Sequence, residues 1–427
     1  MAREMKDSGI EWIGEIPKEW ELAQLRRFVN INNGREIRRE VSKDYSGAIG
    51  VYGSGGVFKY TDEMQYSGKA VMFGRKGTLG KPLYVDDSFW TVDTMYFLTY
   101  KNGLDERFNY YQLIVFDWEP YITHTAIPSI VASQIVACHF PIPNRCEQNR
   151  IDAYLDKICA ELDNVLEKTR ASIEEYKKLK QAVITQAVTK GVRGNREMKD
   201  SEIEWIGEIP ADWNLIKITR LLDYNHPYPI GDGDHGLIKT DDYIDAGVPY
   251  IRVQNLGWGT ELNYDNMVYI SEDRNQMIAN SILKPDDILF AKTGATIGKT
   301  AIIPDSMSAS NTTSHIGKIT VSPNYNSKYI FYVMSSYVVY RQFWEMAGLK
   351  STRPELSIDE IKKVRLIIPS RIEEQEEITR YLDEKCSAID ELIAKKEQYL
   401  FEIENYKKSL IYEYVTGKKE VPCESAD

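Results

Sequence analysis

The sequence predicts an α/β (α+β) protein with a pseudo-two-fold internal repeat: two globular domains, each followed by a long helix, with the two helices packed against each other. Three observations predict it. "MKDSGIEWIGEIPKEW" at 5–20 returns as "MKDSEIEWIGEIPADW" at 198–213, with twelve of the first fourteen residues identical at an offset of 193. "YLDKICAELDNVLEK" from Tyr154 returns as "YLDEKCSAIDELIAK" from Tyr381 at an offset of 227, kept through Ile184/Ile411, Val188/Val415 and Thr189/Thr416. Between opener and helix each half carries aromatic, Gly-rich, β-branched sequence, as in "AVMFGRKGTLGKPLYV" and "DILFAKTGATIGKTAII", which reads as short strands and turns.

The openers read as packing segments. Ser8-x-x-Glu11 and Ser201-x-x-Glu204 match a capping box, and Trp12, Ile16, Trp20, Trp205, Ile209 and Trp213 read as packing residues. The expected position of residues 5–20 is beside the C-terminal helix, as 198–213 lie beside the central one.

The helical segments carry apolar residues at steps of three and four. In 147–190 these are Ile151, Leu155, Ile158, Leu162, Val165, Ile173, Tyr176, Val183 and Ala187; in 374–416 they are Ile378, Leu382, Ile389, Leu392, Tyr399, Ile403, Tyr406 and Leu410. This is a coiled-coil-like seam. Gly191 and Gly417 stand where helix stops belong. The expected boundaries are a first domain over 1–145, a spacer helix over 146–197, a second domain over 198–370, and a second spacer helix with tail over 371–427.

A chain of 427 residues, 43% hydrophobic and 27% charged, fits a multi-domain globular protein. Without a basic-then-apolar leader or an apolar run near 18 residues, it is expected in the cytoplasm and not in a membrane. The net charge of −11 argues against a generally basic nucleic-acid binder, but the acid is unevenly placed. Residues 1–145 hold 17 Lys/Arg against 18 Asp/Glu, whereas 371–427 hold 9 against 15. A near-neutral domain can still carry a local basic face.

Catalytic and metal chemistry finds little support. The five cysteines form no CxxC pair, and Cys138, His139, Cys146 and Cys159 fit no standard zinc spacing. "KTGATIGKT" at 292–300 leaves three residues between Gly294 and Gly298 where a phosphate loop needs four, and "GRKGTLGK" at 74–81 leaves five between Gly74 and Gly80. No HExxH, methyltransferase tetrapeptide or assembled nuclease motif is found.

The layout resembles the specificity subunit of type I restriction-modification enzymes. The resemblance rests on the paired opener, on "VYGSGG" (51–56) with "FGRKGTLGK" (73–81) and "YIRVQNL" (250–256) with "FAKTGATIGK" (290–299), on the exits "HTAIPSIVASQIVACHFPIP" and "STRPELSIDEIKKVRLIIP", and on the "EQ…I…YLD" helices. It covers essentially the whole chain. The second helix lead carries one extra residue, which is expected to shift helix phase slightly.

The resemblance implies two target-recognition domains, each reading half of a bipartite double-stranded DNA site, and an antiparallel helix pair that spaces them. It also implies no catalytic residues and no cofactor on this chain. The partners implied are two methyltransferase subunits using S-adenosylmethionine, and restriction subunits using ATP and Mg. Because the two domains differ in sequence, the target should be asymmetric; the tandem repeat suits binding two copies of one partner. A methylation-only system, an eroded methyltransferase and a coiled-coil scaffold without a DNA role remain alternatives.

Small Gly/Ser/Thr loops let a phosphate backbone approach, Lys and Arg supply charge, and Gln, Asn and Arg can read bases. The DNA-binding candidates are Ser54, Gly55, Arg75, Lys76, Thr78 and Lys81 in the first domain. In the second they are Arg252, Gln254, Asn255, Lys292, Thr293, Thr296, Lys299, Asn311 and His315. Gly77, Gly80, Gly294 and Gly298 are expected to serve backbone shape.

Overall fold

A computed structural model describes residues 3–259, 262–307, 309–348 and 354–422. The described helices are α1 (Glu106–Val115), α2 (Ala132–Ala137), α3 (Arg145–Lys190), α4 (Glu272–Met277), α5 (Ser327–Met334), α6 (Tyr337–Ala347), α7 (Ile358–Ile361) and α8 (Ile372–Val415). The chain forms two compact units, one of residues 1–170 with 397–427 and one of residues 171–396. Each unit therefore owns one end of both long helices.

The first unit opens with a hairpin, β1 (Met5–Asp7) against β2 (Glu15–Pro17). The expected capping box is not made. No helix follows Ser8; its Oγ accepts from the Ile10 N–H inside the hairpin loop, and Ser201 does the same with Ile203. The packing reading of the aromatics holds: Trp12 packs edge-on against Phe116, while Ile16 and Trp20 are buried. β3 (Glu21–Gln24) then pairs with His139–Ile142, so the domain leaves and returns through one antiparallel ladder.

Between those two strands lies a six-stranded sheet. Its strands are β4 (Val29–Asn33), β5 (Ile49–Gly53), β6 (Gly56–Thr61), β7 (Tyr66–Gly74), β8 (Leu83–Thr91) and β9 (Met95–Tyr100), in the order β4-β9-β7-β8-β5-β6. β7 is buried on both faces at its end. Val71 and Phe73 face the cluster that contains α1 and α3, and Ala70 and Met72 face a second cluster with Phe89 and Phe97. The sheet is strongly curled. Phe97 pairs with Met72, yet its ring lies 5.9 Å from that of Tyr66, six residues and about 20 Å of extended strand earlier.

In this unit α3 and α8 run antiparallel. Asp163 meets Lys407 at 2.6 Å and Arg170 meets Glu404 at 2.6 Å, while Ile151, Leu155, Leu410 and Ile411 are buried and the Tyr154 and Tyr414 rings lie 4.7 Å apart. Gly417 ends α8 at φ 72°, and a Cβ there would meet Pro17 Cγ at 2.4 Å, so the hairpin packs directly on the helix stop.

The second unit repeats this frame. Met198–Asp200 pairs with Glu208–Pro210, and Trp213–Lys217 pairs with Arg365–Pro369. Gly191 ends α3 at φ 76°, beside Trp213. The inserted domain differs. It has a four-stranded sheet (Ile230–Asp232, Ile316–Ile319, Ile288–Ala291, Thr300–Ile302) and a three-stranded sheet (Val268–Ile270, Val248–Ile251, Asn311–Thr312). Here too α3 and α8 are antiparallel, with Lys180 on Asp390 at 2.6 Å and Ile184, Val188, Ile378 and Leu382 buried.

Two expectations about the helices need correction. Leu392, Tyr399 and Tyr406, seven residues apart, are exposed rather than in the seam, whereas Ile389, Ile403 and Leu410 are buried as expected and Tyr414 is buried with them. A seven-residue step satisfies two helix faces equally, and only packing picks one. The extra residue of the second lead does not shift helix phase, because it is absorbed before α8 begins and Arg145 and Ile372 stand at the same 227 offset as the later pairs.

The "EQ" pair fixes both helix starts. Glu147 accepts from Arg3, and Glu374 from Arg196; both arginines also bind a second carboxylate, Glu19 and Asp212, and lie over Trp20 and Trp213. Gln148 accepts from the Asp105 N–H and donates to the Pro143 carbonyl, while Gln375 accepts from the Asn326 N–H and donates to the Pro369 carbonyl. Asp105 and Asn326 are the N-caps of α1 and α5, so the glutamines clamp each domain's helix to the frame. One pair differs. Asp105 bonds the buried Asp152 carboxyl, whereas the matching bond in the second unit runs from Thr379 to Asn326 at 3.3 Å.

Candidate DNA interface

The two Gly-Thr loops share one construction despite the unlike sheets around them. In the first unit the loop after β7 is tied to the exit segment: Gly77 N–H donates to Pro128 O, Ile130 N–H donates to Arg75 O, and Lys76 bridges Ser129. In the second, Gly294 N–H donates to Pro354 O, Leu356 N–H donates to Lys292 O, and Thr293 bridges Glu355. Gly77 (φ 78°) and Gly294 (φ 63°) turn the chain left-handed at the same point. The loop and the exit are thus one surface in each unit.

In the first unit this surface is open. Lys76, Thr78 and Lys81 are exposed, and the Arg75 guanidinium lies 5.5 Å over the Tyr96 ring, half-buried. Ser54 and Gly55 form the turn of the β5–β6 hairpin; Ser54 is half-buried and Gly55 exposed. Such groups can bind phosphate through charge and backbone N–H donors without catalytic chemistry.

The second unit separates its candidates. Gln254 and His315 are exposed, and Thr296 and Lys299 are half-buried at the surface. Arg252 is half-buried, with Nη2 donating to the Asn266 carbonyl at 2.5 Å and its guanidinium 5.7 Å from the Tyr243 ring. Four candidates are corrected to framework positions because they are buried, and three of them have their side chains already committed. Asn255 is fully buried, accepting from the Arg252 N–H and donating to the carbonyls of Asn263 and Asp265. Asn311 is fully buried, bonding Ser281 and Asn275. Thr293 is buried, with its carbonyl accepting from Thr296. Lys292 is 5% exposed and ion-paired with Asp232 at 3.0 Å and Glu355 at 3.2 Å.

The exit hairpin carries an exposed tip, His124–Ile127. Its strands are two residues each, too short for a periodic signal, so sequence alone did not single it out. Asp232 and Glu355 were missed for the same kind of reason: they reach Lys292 from 60 and 63 residues away. Residues 349–353 of the second exit lie outside the described residues. Among the described residues no helix is long and apolar enough to cross a membrane.

Two unlike surfaces mounted on one repeated frame define a tandem recognition protein. The chain belongs to the type I restriction modification DNA specificity domain family, whose model matches residues 17–175 and 232–402. It is 23% identical over 419 residues to the type I restriction enzyme MjaVIII specificity subunit of Methanocaldococcus jannaschii, covering 94% of this chain and 93% of that one. It is 26% identical over 292 residues to the EcoBI specificity subunit of Escherichia coli, covering 65% and 58%. A solved structure concerned with complex assembly and conformational transition of the type I R-M system shares the fold at a TM-score of 0.63 and 14% identity, covering 95% of this chain and 99% of that one.

Proposed function

We propose that this chain is the non-catalytic DNA-recognition subunit of a type I restriction-modification complex. Each domain reads one half of a bipartite, asymmetric double-stranded site. The paired helices set the spacing and recruit two methyltransferase subunits, with restriction subunits joining the assembly. S-adenosylmethionine, ATP and Mg belong to those partners, and the chain acts in the cytoplasm.

One observation carries the reading: the same loop-and-exit surface appears in both units, on the same frame, with different side chains. Identical frames need identical partners, and different surfaces need different sequences. In the first unit the surface offers Lys76, Thr78 and Lys81; in the second, Thr296 and Lys299. The experiment is to map modified adenines across a genome with and without this chain in the presence of its methyltransferase. A bipartite, non-palindromic motif that vanishes with the chain is expected. Methyl transfer by the pure chain alone would overturn the non-catalytic reading.

A further inference from the structure

The exit segment of the first unit forms a small two-stranded ribbon. Ile122 pairs with Ile130 and Thr123 with Ser129, and the tip between them is His124, Thr125, Ala126, Ile127 and Pro128. Its second strand is fastened to the Gly-Thr loop by the Gly77–Pro128 and Ile130–Arg75 backbone bonds. The tip has internal order. Thr125 Oγ1 donates to the Ile127 carbonyl at 2.7 Å, and His124 Nε2 lies 3.0 Å from Glu119 Oε1. Ile127 is 63% exposed.

A single exposed aliphatic residue is ordinary on a protein surface. Its setting here is not. It stands at the tip of a ribbon, on a fixed backbone, next to the loop that presents Lys76, Thr78 and Lys81. The DNA major groove admits a two-stranded β-ribbon, and the one apolar group it displays on base edges is the thymine C5-methyl. Isoleucine offers no hydrogen bond, so its selectivity can act only on that methyl.

We propose that residues 122–130 enter the major groove as a recognition ribbon and that Ile127 is a specificity-determining residue that contacts a thymine methyl. The inference rests on the reading of the loop-and-exit surface as a DNA interface. Lysines of the neighbouring loop hold phosphates, and the ribbon tip reaches the bases.

The test uses the assembled complex and its mapped target. Each thymine of the target is replaced in turn by deoxyuridine, which removes only the methyl group. One thymine, in one half of the target, is expected to lose about four-fold in affinity, the factor that burial of one methyl group supplies. Ile127→Ala should bind the thymine and deoxyuridine duplexes equally at that position. Ile127→Ala with the parent's deoxyuridine sensitivity at every position overturns the proposal. So does a uniform loss of affinity on both duplexes, which would indicate a wedge between base steps. Lys76→Ala with Lys81→Ala separates the two levels. A reduced salt dependence with unaltered Ile127→Ala behaviour removes the ribbon alone; an unaltered salt dependence removes the loop and the interface reading with it.

Discussion

Tyr412 donates a hydrogen bond to the backbone carbonyl of Ile13 at 3.0 Å, so the loop of the first hairpin rests on the last turn of α8, 399 residues along the chain. Lys418 reaches the same carbonyl, and Arg3 and Val421 line one cavity. A circular permutant that joins the segment after Val421 to the one before Arg3 by a short flexible linker, and opens at Gly194, keeps these contacts. It is expected to melt within a few degrees of the parent and to support adenine modification in the complex. Thermal unfolding and a modification assay check this, and a permutant that cannot fold refutes it.

Arg196 is the partner of a carboxylate that has left water. The Glu374 side chain is 2% exposed and meets Arg196 at 2.5 Å. Arg196→Ala strands that charge and should cost about 3 kcal/mol. The double variant with Glu374→Gln should recover part of the loss, because the stranded charge is gone. Urea unfolding of the three proteins measures it.

Lys292 and Lys299 flank one loop and should behave differently. Lys292→Ala leaves Asp232 facing a buried gap, so it should lower thermal stability. Lys299→Ala should leave stability alone and reduce the salt slope of DNA binding by about 0.9. Binding titrations over a salt series distinguish the two, and equal slopes for parent and Lys299→Ala would take this loop out of the interface.

Asp152 makes the first unit sensitive to alkali. Burial, and then its bond to Asp105, push its carboxyl up to about 9. Burial works the same way on Asp105, but the bond with Asp152, the Arg107 N–H and the Arg145 charge outweigh it and hold Asp105 below its ordinary value. The shared proton therefore sits on Asp152, with Asp156 and Arg107 the other charges that act on it. An unfolded carboxyl releases its proton near pH 4. Above that the unfolded chain binds fewer protons than the folded one, so stability falls as pH rises toward about 9. Asp152→Thr, which copies the Thr379 arrangement, should flatten the decline in a melting series from pH 5 to pH 9.

Much of the frame was legible because repetition reports structure without needing propensity. Both helices, their glycine stops at 191 and 417, and the docking of each opener followed from copied residues. The openers' internal shape did not follow. Ser-x-x-Glu is permissive, and the hairpin is decided by the pairing of Met5 with Pro17. The candidate DNA-binding residues are legible as loops but not one by one. Asn255 and Asn311 look in sequence like base-reading amides; they are buried and bonded to neighbouring polar groups, backbone for Asn255 and the Ser281 and Asn275 side chains for Asn311. Direction of a side chain in a Gly-rich loop is a tertiary property, and no spacing encodes it.

The entry-exit ladders and the glutamine clamps also bear on inheritance. The hairpin, the entry-exit ladder, and Gln148 with Gln375 tether each domain to the frame at matching places in the two halves. Genetic exchange within those matching stretches would transplant an entire domain and rejoin it through bonds the recipient already makes. A hybrid that carries an exchanged insert is therefore expected to fold on the recipient's frame.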